Sequence, residues 1–215
     1  MLKQFVMGLA VFLAAALAQA QPVVGVAYRE LSPPQPTDAA DKIEVIEFFS
    51  YLCPHCYRFE PALKSWVKKL PKDTQFRRIP AMFSEDYAQT ARSYYALEAV
   101  GELERLHTVL FDAVYSGTRL RAENEAALTE WLGNQGVDTK KFAAAYRSFS
   151  VEGKLKRAAQ LTQAYKIEAV PSMSINGKYV VITDNMKSLE QLLSVSDYLV
   201  ERARKESGKS APKKK

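Results

Sequence analysis

Two cysteines separated by a proline and a histidine are the residues of this chain best suited to chemistry. Cys53-Pro54-His55-Cys56 contains both cysteines and one of the two histidines of the 215-residue sequence. Cysteines at this spacing can form a reversible disulfide, and the thiolate is the species that attacks or departs in thiol–disulfide exchange. The motif predicts a redox-active pair, in which Cys53 is the attacked sulfur and Cys56 its partner.

Three other uses of this motif fit the sequence less well. A zinc site needs about four ligands, and His55 lies between the two cysteines, where all three side chains are poorly placed to reach one ion. A structural disulfide across two residues would close too small a loop to add much stability. Haem attachment requires a histidine directly after the second cysteine, where this chain has Tyr57. We therefore expect no metal and no other cofactor.

The segments around the motif explain why the thiol of Cys53 should have a lowered pKa. Residues 42–50, KIEVIEFFS, are apolar on both faces and predict a buried strand. Helical spacing of apolar residues follows, with Cys53 as the N-cap and Pro54 at the first helical position. A sulfur at a helix N-terminus meets unpaired N–H groups and the positive end of the helix dipole, and both favour the thiolate. We expect the ring of His55 to lie near this sulfur and to stabilise it further.

The rest of the chain predicts an α/β protein with a helical insertion. A second strand is expected at 76–79, and residues 84–166 have helical spacing throughout. Strand character returns at 172–182, where Asn176-Gly177 predicts a type I′ hairpin turn. Ser188 to Gln191 has the capping-box pattern that opens a last helix. Because strands lie on both sides of the helical block, an insertion fits better than two consecutive domains.

The first 20 residues predict a cleaved export signal. Lys3 precedes an apolar run at 5–18, and Ala18-Gln19-Ala20 fits the small-x-small rule for cleavage before Gln21. The run is shorter than the roughly 20 residues that a membrane span needs. Export would place the mature chain in an oxidising compartment, where a cysteine pair can act as a disulfide.

The formal charge of +6 does not indicate nucleic-acid binding, because it is concentrated at the end of the chain. Residues 202–215 hold seven basic residues and one acidic residue, and Lys3 adds one positive charge, which leaves −1 for residues 21–201. We expect residues 207–215 to form a solvated, disordered basic tail.

The segment IEVIEFFSYLCPHCYRFEP, the helical insertion, and Val170-Pro171 ahead of a hairpin together resemble the DsbA family of thiol–disulfide oxidoreductases. The resemblance covers essentially the whole mature chain. It implies a thioredoxin fold in two parts, 21–83 and 167–206, with a helical domain inserted at 84–166.

The resemblance also implies a function. A family member donates its disulfide, here Cys53–Cys56, to reduced or unfolded exported proteins in the periplasm. A quinone-linked membrane partner of the DsbB type restores the disulfide. We expect this chain to do so as a monomer.

Several site residues follow from the resemblance alone. It places a cis Pro171 beside the cysteines, where the backbone of Val170 can pair with an extended substrate. It makes Glu47 a buried acid that assists proton transfer at Cys56, with Arg78 as a candidate basic partner. It also implies a strongly depressed thiolate pKa for Cys53, of the kind known for DsbA itself at about 3.5.

Alternatives remain open. A disulfide isomerase or reductase could use the same fold, although the residues between 21 and 41 are too few for the dimerisation domain that such isomerases usually carry. A peptide-binding chaperone with incidental thiols is the alternative from another class. We expect His107 to be an ordinary surface or packing residue. Four apolar residues are candidates for the rim of a groove for unfolded chains: Tyr51, Leu52, Phe83 and Met173.

Overall fold

The computed structural model describes residues 21–39, 41–184 and 186–208. The predicted signal segment 1–20 and nearly all of the predicted tail 207–215 lie outside the described residues. Within the described part, no helix is long and apolar enough to cross a membrane.

One five-stranded mixed sheet forms the centre of the fold. Its strands are β1 (Tyr28–Glu30), β2 (Ile43–Phe49), β3 (Thr74–Pro80), β4 (Ser172–Ile175) and β5 (Tyr179–Val181). In space they follow the order β1-β5-β4-β2-β3. β2 runs parallel to β3 and antiparallel to β4, and all seven of its residues are buried. This burial confirms the strand that the doubly apolar pattern predicts.

Helices pack against the sheet, and most of them lie between β3 and β4 in the chain. They are α1 (Pro54–Val67), α2 (Glu85–Ala99), α3 (Leu103–Tyr115), α4 (Glu125–Asn134), α5 (Thr139–Tyr146), α6 (Phe149–Ala164) and α7 (Leu189–Glu206). α1 follows β2 directly, α2 to α6 lie between β3 and β4 in the chain, and α7 comes last. The predicted element order is confirmed from β2 onward, but β1 was not predicted, and β3 begins two residues earlier than the sequence pattern indicates.

The hairpin between β4 and β5 turns at the predicted residues. Asn176 and Gly177 both have positive φ, 53° and 66°, and the amide of Lys178 donates to the carbonyl of Ile175 at 3.1 Å. This is the backbone of a type I′ turn. A Cβ on Gly177 would lie 2.0 Å from the carbonyl oxygen of Gln35, so close backbone packing also requires glycine here.

The predicted capping box at the start of α7 is wrong in its hydrogen bonds. Ser188 is the N-cap residue, but its hydroxyl accepts no cap hydrogen bond from the helix. Gln191 instead accepts from the amide of Lys187, one residue before the cap.

The two cysteines belong to the apolar core that the sheet shares with the inserted helices. Cys53 and Cys56 cluster with Phe49 at the end of β2 and with buried residues of α2, α3, α4 and α5. A second core, which includes Phe59 and Leu63 of α1, packs between the sheet and α7. The start of α1 therefore sits between two rigid layers, and this holds the cysteine motif in place.

Candidate active site

Cys53 caps α1, as the sequence predicts. Its backbone is extended, with φ −100° and ψ 110°, and its Sγ accepts a hydrogen bond from the amide of Cys56 at 3.3 Å. Pro54 is the first helical residue, where its missing N–H leaves no bond unmade. Both cysteines are free thiols in this structure; Cys53 is 6% exposed and Cys56 1%. An incoming thiol therefore reaches Cys53 first.

The environment separates the pKa values of the two cysteines. The hydrogen bond from the Cys56 thiol is the main cause that lowers the pKa of Cys53 from 9.0 to about 7, while burial opposes it. The amides of Cys56 and His55 and the charge of Arg58 lower it further. Burial, followed by the interaction with Cys53, raises the pKa of Cys56 well above 9.0. Above about pH 7 the pair therefore contains mainly one thiolate, on Cys53, and one thiol, on Cys56.

The ring of His55 contacts Arg58. Its Nδ1 lies 2.9 Å from the Arg58 guanidinium, in an exposed position. The backbone amide of His55 helps to lower the pKa of Cys53, and a role of the ring as a tuner of this sulfur stays a prediction. Because burial opposes the hydrogen bonds, the pKa of Cys53 falls less than the resemblance implies.

Val170 and Pro171 lie against the reacting sulfur. The peptide bond between them is cis, as the resemblance implies. The Cys53 thiol donates to the carbonyl of Val170 at 3.2 Å, across 117 residues of sequence. The backbone before β4 therefore lies next to the atom at which substrate disulfides would form.

A groove of about 410 Å³ extends from this point towards the start of α7. Pro171 and Leu192 lie along it, with Met186 and Leu189 from the segment before and at the start of α7. The groove residues proposed from sequence are only partly suitable. Tyr51 and Met173 are buried at 1% and 0% exposure and cannot form a rim, while Leu52 is half-buried and Phe83 is exposed. The α7 residues were missed because no sequence signal brings that helix to the cysteines.

Glu47 and Arg78 form the predicted pair. They are register partners in the parallel β2–β3 pairing, and Arg78 Nε donates to Glu47 Oε2 at 2.9 Å. Glu47 is only 2% exposed. Burial raises its pKa from 4.5 to about 7, with Arg78 opposing and Glu60 reinforcing the rise. A carboxyl group with this pKa can both accept and return a proton near neutral pH.

Glu60 and His107 also belong to this buried cluster, and sequence reasoning missed both. The Arg78 guanidinium binds Glu60 at 2.9 Å as well as Glu47. His107 is 5% exposed and packs against aromatic rings, which confirms a packing residue, and its Nδ1 also makes a polar contact of 2.7 Å with the Tyr51 hydroxyl that the sequence did not predict. The sequence did contain a signal that places Glu60 near the cysteines. Glu60 follows Cys56 by four residues, and this spacing puts the two residues on the same face of α1.

Comparison with known proteins agrees with the fold. A family model described as thioredoxin matches residues 37–195. The thiol:disulfide interchange protein DsbA of Azotobacter vinelandii is 40% identical over 192 residues, which cover 89% of each chain. This chain belongs to the DsbA family. DsbA of Pseudomonas aeruginosa strain PAO1 is 38% identical over 180 residues, which cover 84% of this chain and 85% of that protein.

A solved DsbA structure superposes closely on this one. The crystal structure of Pseudomonas aeruginosa DsbA matches with a TM-score of 0.82 and 36% identity, covering 87% of this chain and 97% of that chain. As a member of the DsbA family, the protein is a thiol:disulfide oxidoreductase with a thioredoxin-like α/β fold.

Proposed function

We propose that this protein is a periplasmic dithiol oxidase that donates a Cys53–Cys56 disulfide to reduced or unfolded exported proteins. The observation that carries the proposal is the unequal environment of the two sulfurs. Cys53 sits at a helix N-terminus with a lowered pKa, and Cys56 is buried with a raised one. A sulfur that is stable as a thiolate is a good leaving group, and this favours the reduced enzyme and hence donation.

The chemistry proceeds in two exchanges. A substrate thiolate attacks Cys53, forms a mixed disulfide and displaces Cys56, which takes up a proton supplied by way of Glu47. A second substrate thiolate attacks the substrate sulfur of that mixed disulfide. A disulfide forms in the substrate, and Cys53 departs with the electron pair as a thiolate. The substrate loses two electrons and the cysteine pair gains them.

Substrate would bind along the backbone of Val170 and Pro171 and extend into the adjoining groove. An extended peptide paired to backbone gains affinity without a fixed sequence, which suits an enzyme with many clients. The apolar side chains of Met186 and Leu189 would contact the exposed apolar residues of unfolded chains. The backbone contact, rather than a specific pocket, is thus the proposed basis of recognition.

The predicted signal segment supports the compartment, because an exported chain with two cysteines works where disulfides persist. Reoxidation would come from a quinone-linked membrane partner of the DsbB type, acting on the Cys53 thiolate. The proposed working form is the monomer.

Direct transfer to a peptide tests the proposal. We expect the oxidised protein, starting at Gln21, to convert a reduced two-cysteine peptide to its disulfide with one equivalent per protein. Membranes that contain a quinone-linked disulfide enzyme should make the reaction catalytic, as measured by peptide fluorescence and thiol trapping. A protein that leaves the peptide reduced, yet reduces insulin disulfides when supplied with a reductant, would contradict the proposal.

A reductase is the second candidate, because one observation favours it. A Cys53 pKa of about 7 lies near the value for thioredoxin, about 7, rather than that for DsbA. A reductase would hold its cysteine pair reduced and pass electrons to substrate disulfides. The peptide experiment separates the two candidates by the direction of exchange.

A further inference from the structure

Two buried carboxylates compete for one guanidinium behind the cysteines. Arg78 donates from Nε to Glu47 and from its terminal nitrogen to Glu60, each at 2.9 Å. The two glutamate side chains are 2% and 4% exposed. One positive charge cannot fully compensate two buried negative charges, so one of the carboxylates must hold a proton more readily than the other. The charge of Glu47 helps to raise the pKa of Cys56, so the identity of the carboxylate that holds the proton matters for catalysis.

His107 lies beside Glu60. Its Nε2 is 3.6 Å from Glu60 Oε2, slightly longer than a hydrogen bond but near enough for an N–H dipole to stabilise a carboxylate. Thr108, the next residue on α3, donates its hydroxyl to the other oxygen of Glu60 at 3.4 Å. The start of α3 therefore favours charge on Glu60.

Tyr51 fixes the tautomer of His107. The Tyr51 hydroxyl is 2.7 Å from Nδ1, and burial raises the pKa of Tyr51 well above 10, so the hydroxyl keeps its proton and donates it. Nδ1 must then accept, which puts the proton of a neutral ring on Nε2, facing Glu60. Burial also lowers the pKa of His107 below its ordinary value, with Glu60 opposing, so the ring is neutral at neutral pH.

We propose that His107 is a positioning residue that keeps the charge on Glu60 and thereby leaves Glu47 as the carboxylate that exchanges a proton with Cys56. With Glu60 ionised, Arg78 stays divided between two partners and cannot hold Glu47 in its charged form. The contacts of the two acids support this. Glu60 lies within reach of donors on His107 and Thr108 as well as Arg78, whereas Arg78 is the side chain that donates to Glu47, whose pKa rises to about 7.

The proton step that depends on this arrangement occurs when the cysteine pair closes. The Cys56 thiol gives its proton to the Glu47 carboxylate, and the resulting thiolate attacks Cys53 in a mixed disulfide. The Cys53–Cys56 bond forms, the bond from Cys53 to the bound thiol breaks, and that thiol leaves with the electron pair. Cys56 is oxidised and the departing sulfur is reduced.

Solvent reaches the cluster by a route separate from Cys53. A cavity of about 190 Å³ is lined by Glu60, Arg78 and His107, and neither cysteine is among the described residues that line it. The route therefore stays open when a substrate covers Cys53. The titratable or charged groups that face His107 come from five elements: Tyr51 before α1, Glu60 on α1, Arg78 on β3, Tyr94 on α2 and Glu104 on α3.

Asparagine and glutamine at position 107 form a matched pair that tests the proposal. The shorter His107→Asn amide can accept from Tyr51 but does not reach Glu60, whereas the His107→Gln amide reaches the position of Nε2. Carbon NMR of glutamate-labelled, reduced protein would follow the titration of Glu47 and Glu60. In His107→Asn we expect the midpoint of Glu47 to fall by about one pH unit and that of Glu60 to rise. In His107→Gln both should stay near the wild-type values.

A kinetic measurement and a cavity control complete the test. The pH profile for displacement of glutathione from Cys53 by Cys56 should move with the Glu47 midpoint in His107→Asn. Leu161→Ala, which enlarges a neighbouring cavity bordered by His107 and removes no polar group, should leave that profile unchanged. Unchanged midpoints in His107→Asn, or equal shifts in the asparagine and glutamine variants, would overturn the proposal.

A second variant keeps the test decisive if His107→Asn does not fold. Glu60→Gln removes the competitor for Arg78, so the Glu47 midpoint must fall there too, and an unchanged midpoint would refute competition for the guanidinium. The inference rests on the proposed function at one point only, which is that Cys56 attacks Cys53 and closes the disulfide. The titrations involve no client protein and no membrane partner, so they stand whether the enzyme proves to be an oxidase or a reductase.

Discussion

Replacing Cys53 with serine should abolish disulfide transfer, reducing peptide oxidation by more than about a thousandfold. The reason is chemical, because the hydroxyl of serine cannot form the disulfide that the substrate attacks. Replacing Cys56 with serine should have a different result. Cys53 can still form a mixed disulfide, but no internal thiol can displace the bound partner, so clients should accumulate in covalent complexes. Rapid-quench thiol trapping and mass spectrometry would measure both outcomes.

The same two variants locate the thiolate. In Cys56→Ser, thiolate absorbance should still titrate at a midpoint of about 7 or lower, since the serine hydroxyl can donate to Cys53 the hydrogen bond that the Cys56 thiol provides. In Cys53→Ser, the remaining thiol should stay protonated beyond pH 9, because Cys56 is buried. Circular dichroism would verify that both variants are folded. Full oxidase activity in Cys53→Ser would show that the assignment of the attacked sulfur is wrong.

Replacing Glu47 with glutamine should stabilise the reduced protein at pH 8 while slowing closure of the cysteine pair. The pKa of Glu47 rises from 4.5 to about 7 on folding. The native state therefore binds more protons than the unfolded state between these values, and stability falls as the pH rises through that window. The cost of ionised Glu47 reaches about 3 kcal/mol above pH 7, and it vanishes below about pH 4.5.

The neutral amide removes this cost, so the gain in the free energy of unfolding should be largest at pH 8 and absent near pH 4. Without a proton acceptor, displacement of glutathione by Cys56 should slow by about tenfold or more. Glu44→Gln is a matched control, since Glu44 is also buried on β2 but pairs with Arg77. Denaturant unfolding at several pH values and single-turnover kinetics would measure the two effects. Unchanged closure kinetics in Glu47→Gln would remove Glu47 from the mechanism.

The sequence was most informative where local pattern and chemistry coincide. The doubly apolar run at 42–50, Cys53 followed by Pro54, and Asn176-Gly177 each have one favoured local structure, and the structure contains it. The Glu47–Arg78 pair was harder to predict from the sequence. The two residues are 31 positions apart, and their pairing depends on the register of the two strands that carry them. The resemblance supplied the expectation and the β2–β3 register confirmed it.

Contacts between elements that are distant in the chain could not be predicted from the sequence. His107 follows Glu104, an exposed residue of α3, by three positions, so its sequence pattern is that of a packing residue. Its partners, Tyr51 and Glu60, come from the segment before α1 and from α1 itself. The hydrogen bond of the His55 ring was not predicted either, although helical spacing brings Arg58 within reach of this exposed side chain.

The reduction potential of the Cys53–Cys56 pair tests the central claim most directly. It can be obtained by equilibrating the protein in glutathione buffers and trapping the free thiols. Because donation requires a couple that accepts electrons from client thiols, the account predicts an oxidising potential, between about −180 and about −120 mV. A value near about −270 mV, the potential of thioredoxin, would contradict disulfide donation and assign the protein to reduction instead.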